Sequence, residues 1–80
     1  MYSLSAVNVV YSKKLGTKNL RSTLEKSLNT FEEAVALADL KYPNRGSFIE
    51  QRKNVWHARI PGLLYPGHLI IRKYKENGNH

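Results

Sequence analysis

The segment TFEEAVALADLKYP, residues 30–43, decides the fold. Thr30-Phe31-Glu32-Glu33 has the form of a capping box. The threonine hydroxyl accepts a backbone N–H at the helix start, and Glu33 reaches back to the cap. Both glutamates also sit at the positive end of the helix dipole. The helix is expected to run to about Lys41 and to stop before Pro43, because a proline disfavours helical backbone in the residue ahead of it. At about 100° per residue, Phe31, Ala34, Val35, Ala38 and Tyr42 share one face. Glu32 and Asp39 flank it toward water, and Leu40 lies roughly opposite the packing stripe. A single short helix with one apolar face needs a sheet to cover.

The flanking sequence supplies one. Residues 2–13 alternate, with Leu4, Ala6 and Val10 on one side and Val7, Val9 and Tyr11 on the other, which reads as a strand. Lys14-Leu15-Gly16-Thr17-Lys18 is a turn, with Gly16 free to take positive φ. Residues 19–26 alternate again and read as the return strand of a hairpin, with a short helix as the rival reading. After the helix, residues 42–46 form a loop and residues 47–52 a strand. Lys53-Asn54 is a tight turn, and residues 55–60 the next strand. Pro61-Gly62 and Pro66-Gly67 bracket a loop holding Leu63, Leu64 and Tyr65, and residues 68–74 make the last strand. The expected fold is α+β in the order β-β-α-β-β-β, with one helix packed on a small antiparallel sheet whose other face is open. Residues 1–75 form the domain, and residues 76–80 are a polar tail expected to fray.

Eighty residues hold one domain, and a chain this short buries only about 60 % of its unfolded surface. With no cysteine there is neither a disulfide nor a thiolate for metal or nucleophilic work, which fits a reducing cytoplasm. The N-terminal residues lack a basic region and their apolar run is broken by Ser5 and Asn8, so a signal peptide is not expected there. No apolar stretch is long enough to span a bilayer. Met1 and the untagged end are expected to bound a complete small protein.

Charge is distributed by segment. Residues 1–24 carry Lys13, Lys14, Lys18 and Arg21 with no acid. Residues 25–50 carry Lys26, Lys41 and Arg45 against Glu25, Glu32, Glu33, Asp39 and Glu50. Residues 51–80 carry Arg52, Lys53, Arg59, Arg72, Lys73 and Lys75 against Glu76, and the chain totals +7. A compact body with this imbalance attracts a polyanion, most commonly nucleic acid. Strand alternation places His57, Arg59, Arg72 and Tyr74 on the helix-free face. Arginine pairs with phosphate in a fork geometry, and an aromatic ring stacks on an unpaired base. No basic helix is available for the major groove, so RNA or single-stranded DNA is the better ligand. The residues expected to make the contact are Lys13, Lys14, Lys18, Arg21, Arg59, Arg72, Lys73 and Lys75 on phosphate, with Tyr74 stacking. The competing account is that these charges only solubilise a small protein.

The remaining features are weaker. Trp56, the only tryptophan, is expected beneath the helix against Phe31 and Val35. Without cysteine and without His-x-x-x-His spacing, no metal or other cofactor is expected. Glu50 and His57 on neighbouring strands make an acid–base pair geometrically conceivable, which gives a small ribonuclease as a third reading. Leu63, Leu64 and Tyr65 are either a lid on the core or, with Leu40, an apolar surface for a partner protein. The acidic helix flank is either solvated or docks the basic hairpin of another copy, giving a homodimer.

The helix over residues 30–41 with its small antiparallel sheet resembles, in organisation alone, many small phage-encoded accessory proteins, including anti-defence inhibitors. The resemblance implies a host-directed regulator or inhibitor that binds RNA or occupies the nucleic-acid channel of an enzyme or toxin. The first expectation is therefore a non-enzymatic, cytoplasmic nucleic-acid-binding protein. The alternative is an inhibitor or adaptor that blocks a partner enzyme or toxin by protein contact.

Overall fold

The computed structural model describes residues 1–14, 16–61 and 66–75. The elements are β1 (Tyr2–Ser12), β2 (Gly16–Leu28), α1 (Phe31–Lys41), β3 (Ile49–Arg52), β4 (Val55–Ile60) and β5 (Gly67–Lys73). They form an α+β fold in which one helix packs on a five-stranded antiparallel sheet of order β2-β1-β5-β4-β3. The expected element order holds. Residues 19–26 are strand rather than short helix, and β2 is longer than expected, starting at Gly16 with φ of 74°. The turn before β4 places Asn54 at φ of 66°, a left-handed conformation that asparagine tolerates better than most residues. The bracketed Leu63, Leu64 and Tyr65 loop and the tail lie outside the described residues.

The helix forms as its cap dictates. The Glu33 backbone N–H donates to Thr30 Oγ1 at 3.1 Å, and the Thr30 hydroxyl in turn donates to the Glu33 carboxylate at 3.4 Å. Glu33 thus returns to the cap's side chain rather than to its backbone. Ala34 and Ala38 are fully buried, and their small side chains let the helix sit close on the sheet. Beneath them lie Leu4 and Ala6 of β1, Leu69 and Ile71 of β5, and Ala58 and Ile60 of β4. Larger side chains close the end near the helix start. The Phe31 and Trp56 ring centroids are 4.8 Å apart, and Tyr2 and Phe48 pack edge-on against Phe31. Trp56 therefore anchors the helix, as its alternation with Ala58 and Ile60 implies. Leu40, opposite this stripe, is 79 % exposed.

The loop after the helix is fixed by Arg45. Its guanidinium bonds Asp39 at 2.7 Å and the Gly46 carbonyl at 2.8 Å, and it lies 4.7 Å from the centre of the Phe48 ring. Arg45 and Asp39 are thus occupied in holding the fold.

At the other end the hairpin leaves the sheet. β1 pairs with β5 only from Tyr2 to Val7, whereas it pairs with β2 as far as Ser12. The last five pairs, from Asn8↔Leu20 to Ser12↔Gly16, form a two-stranded arm about 17 Å long at the usual strand rise. Gly67 sits where the arm departs. A Cβ there would lie 2.5 Å from the Val7 carbonyl oxygen and 3.1 Å from Asn8 Oδ1, so this close passage requires glycine.

Candidate nucleic-acid interface

Strand parity and register together define the helix-free face. With Leu4, Ala6, Leu69, Ile71, Trp56 and Ala58 under the helix, the intervening residues turn the other way. One row across the sheet reads Ser3, Arg72, Val55 and Arg52 on β1, β5, β4 and β3. The next reads Thr23, Ser5, Ile70, His57 and Ile49 from β2 to β3. A third reads Arg21, Val7, His68 and Arg59. Neighbouring rows lie about 7 Å apart. Two arginine-bearing rows therefore flank a neutral row that holds Ile70 and His57.

Arginines from both basic ends of the chain meet here, since Arg21 comes from the first hairpin and Arg52, Arg59 and Arg72 from the last three strands. Among the described residues a single ion pair forms, between Arg45 and Asp39, so no carboxylate neutralises these four arginines. Glu32, Glu33 and Asp39 belong to the helix, on the other side of the sheet. The crowding of positive charge is felt at His57. Burial first, and then the charges of His68, Arg52, Arg21 and Arg72, hold its pKa below the ordinary 6.5. The His57 and His68 ring centroids are 6.3 Å apart.

A groove of about 300 Å³ opens at the β2–β1–β5 end of this face. Ser3 and Ser5 form its floor, Arg72 stands on one side, and Arg21 and Thr23 stand on the other. Ser5 is only 3 % exposed, the one polar residue among the described residues that is this deeply buried. Tyr74 closes the end. Its backbone N–H donates to the Met1 carbonyl, and its hydroxyl donates to the Lys26 carbonyl on β2.

The residues singled out from sequence separate accordingly. Arg21, Arg59 and Arg72 share the face, and Tyr74 borders it. The Tyr74 hydroxyl is tied to β2, so its ring serves as a groove wall rather than the free stacking platform expected of it. Lys13 and Lys14 are exposed at the arm tip, and Lys18 lies on the arm opposite Val10. Lys73 points to the helix side, 5.9 Å from the centre of the Tyr2 ring, because it is one residue out of phase with Arg72. Lys75 is exposed beyond β5. Glu50 is opposite Trp56, whereas His57 is opposite Ile49, so the acid and the histidine point to opposite faces and form no pair. Leu40 is exposed on the helix, and Leu63, Leu64 and Tyr65 lie outside the described residues.

Several members of the face were not singled out: Ser3, Ser5, Thr23, Lys26, Arg52, His68 and Tyr11. Tyr11 is 61 % exposed on the arm and shares parity with Val7 and Val9. That parity is visible in the alternation, but the neighbours across strands depend on register, which it does not reveal.

No helix among the described residues is long and apolar enough to cross a membrane. Comparison with protein-family models, curated proteins and solved structures finds no match to this chain.

Proposed function

We propose that this protein binds single-stranded nucleic acid, RNA or DNA, on the helix-free face of its sheet, and acts by binding alone. The observation that carries the reading is the convergence of Arg21, Arg52, Arg59 and Arg72 on one face, with no carboxylate among the described residues paired to them. Phosphates would meet the two arginine rows. Bases would lie over the neutral row and the apolar Val7 and Ile70, with the exposed Tyr11 available for stacking. The arm adds Lys13, Lys14 and Lys18 as a flanking charge. An open sheet face suits a flexible single strand better than it suits the major groove of a duplex. The test is fluorescence anisotropy with a labelled single-stranded RNA across a salt series. Four to six phosphate contacts on a single strand give a slope of log affinity against log salt of roughly −3 to −4. A slope near zero removes the reading.

The depressed His57 pKa gives the reading a pH signature. In the free protein burial and the neighbouring positive charges favour the neutral form of His57. A bound polyanion offsets those charges and favours the imidazolium, so binding is linked to proton uptake. Affinity is expected to rise as pH falls from about 7.5 to about 5.5, and His57→Gln should reduce the rise. The free fold shows the opposite sign. A histidine whose folded pKa is lowered stabilises the protein above the unfolded value of 6.5 and loses that contribution as pH falls from there through the lower folded value. Affinity that is flat or falling over this range contradicts the linkage.

A second reading rests on Leu40, 79 % exposed beside Asp39 on the helix. Such a side chain fits a protein-binding inhibitor that uses the opposite surface of the molecule. Loss of a cellular phenotype on Leu40→Asp, with RNA affinity unchanged, would favour it.

A further inference from the structure

The groove at the β2–β1–β5 end of the cationic face differs from the rest of that face, and its shape and charge select within the general ligand class. Elsewhere the sheet is open, and a strand could pass across it in either direction. Here Tyr74 runs from β5 to β2 and its hydroxyl meets the Lys26 carbonyl, which blocks the way out. The side chains entering the groove are of one chemical kind. Arg21 and Arg72 stand on opposite sides, Lys26 is at the rim, and Ser3, Ser5 and Thr23 supply hydroxyl groups between them. Guanidinium forks and hydroxyl donors suit the tetrahedral oxygens of phosphate. An internal phosphodiester carries one negative charge and must be threaded by chain on both sides. A terminal phosphate monoester carries nearly two and needs an opening on one side only. Three cations around a groove walled at one end match the second case.

Resting on the nucleic-acid reading above, we infer that this groove is a subsite for the terminal phosphate monoester of a nucleic-acid strand, held between Arg72 and Arg21 over Ser3, Ser5 and Thr23. A strand anchored there by its end would run across the neutral row toward His57 and Ile49.

The experiment compares three single-stranded RNAs of one sequence carrying a 5′-phosphate, a 3′-phosphate or hydroxyls at both ends. Binding to the full chain is measured at fixed salt, and inorganic phosphate is used as competitor. One of the two phosphorylated strands is expected to bind about tenfold more tightly than the dihydroxyl strand, the size of one charge-assisted contact. Inorganic phosphate should erase that advantage. Arg72→Gln should bring the strands within about twofold of one another. Arg59→Gln, on the same face but outside the groove, should weaken all three and keep the preference. Equal binding of the three strands overturns the subsite while leaving the nucleic-acid reading standing. A preference that Arg59→Gln removes as fully as Arg72→Gln also overturns it, because general field strength would then be the cause. If no strand binds but inorganic phosphate produces saturable amide shifts at Ser3, Ser5 and Thr23, the groove is a phosphate site and the nucleic-acid reading fails. No binding of any of these ligands ends both.

Discussion

Replacing Arg21 and Arg72 together by glutamine is expected to lower affinity for single-stranded RNA by roughly 10- to 100-fold, at about 0.7–1.4 kcal/mol for each exposed contact. The slope of log affinity against log salt should flatten by about 1.4, since each phosphate contact on a single strand contributes about 0.7. Both residues are exposed on the sheet surface, and neither forms an ion pair among the described residues. The substitutions therefore remove field and contacts without removing a support of the fold. The two side chains come from strands separated by β1 and face one groove, so they act on the same stretch of ligand. Lys73→Gln provides the internal comparison. It removes an equal charge one residue from Arg72, but from the helix side, and affinity should change by less than about threefold. A double variant that binds within threefold of the native chain, or a Lys73→Gln variant that weakens binding as much, would show that total charge matters and the face does not.

The second large effect concerns the body that presents this face. Trp56→Ala is expected to cost about 3 kcal/mol or more, because it empties the space between Phe31 of the helix and Tyr2 of β1. An 80-residue domain holds only about 4–12 kcal/mol in total, so the variant loses a large part of its stability. Thermal unfolding followed by circular dichroism should show a midpoint lowered by more than 12 °C, given about 4–8 °C per kcal/mol for a domain of this size. Trp56→Phe preserves most of the packing volume and should stay within a few degrees. A cooperative transition in Trp56→Ala near the native midpoint would mean that the aromatic cluster does not hold the helix to the sheet.

Much of this arrangement is legible in the sequence. The alternation Val55-Trp56-His57-Ala58-Arg59-Ile60 separates the two faces of β4 without any tertiary information, because strand side chains alternate. The Thr30 cap and Pro43 bound the helix, and the segmental charge indicates a polyanion. What the sequence withholds depends on pairing between distant residues. Arg72 comes to lie beside Ser3 and Val55 only because β5 occupies the centre of the sheet, between β1 and β4. In β2, alternation holds as far as Leu24, but a register shift then places Glu25 rather than Leu24 opposite Leu4 and brings Lys26 to the open-face groove, so simple alternation past Leu24 misleads. The role of Tyr74 depends on a hydroxyl reaching a carbonyl 48 residues away. Lys73 adds to the charge of the last segment beside Arg72, whereas the pleat turns the two side chains to opposite sides of the sheet.

The most direct measurement is a titration of the ¹⁵N-labelled chain with a short single-stranded RNA, following each backbone amide. Shifts should concentrate at Arg21, Thr23, Ser5, Ile70, Arg72, His57 and Arg59, with the helix amides from Phe31 to Lys41 little changed. Shifts centred on the helix around Asp39 and Leu40, or a spectrum unaltered at saturating RNA, would contradict the assignment of the open sheet face as the binding surface.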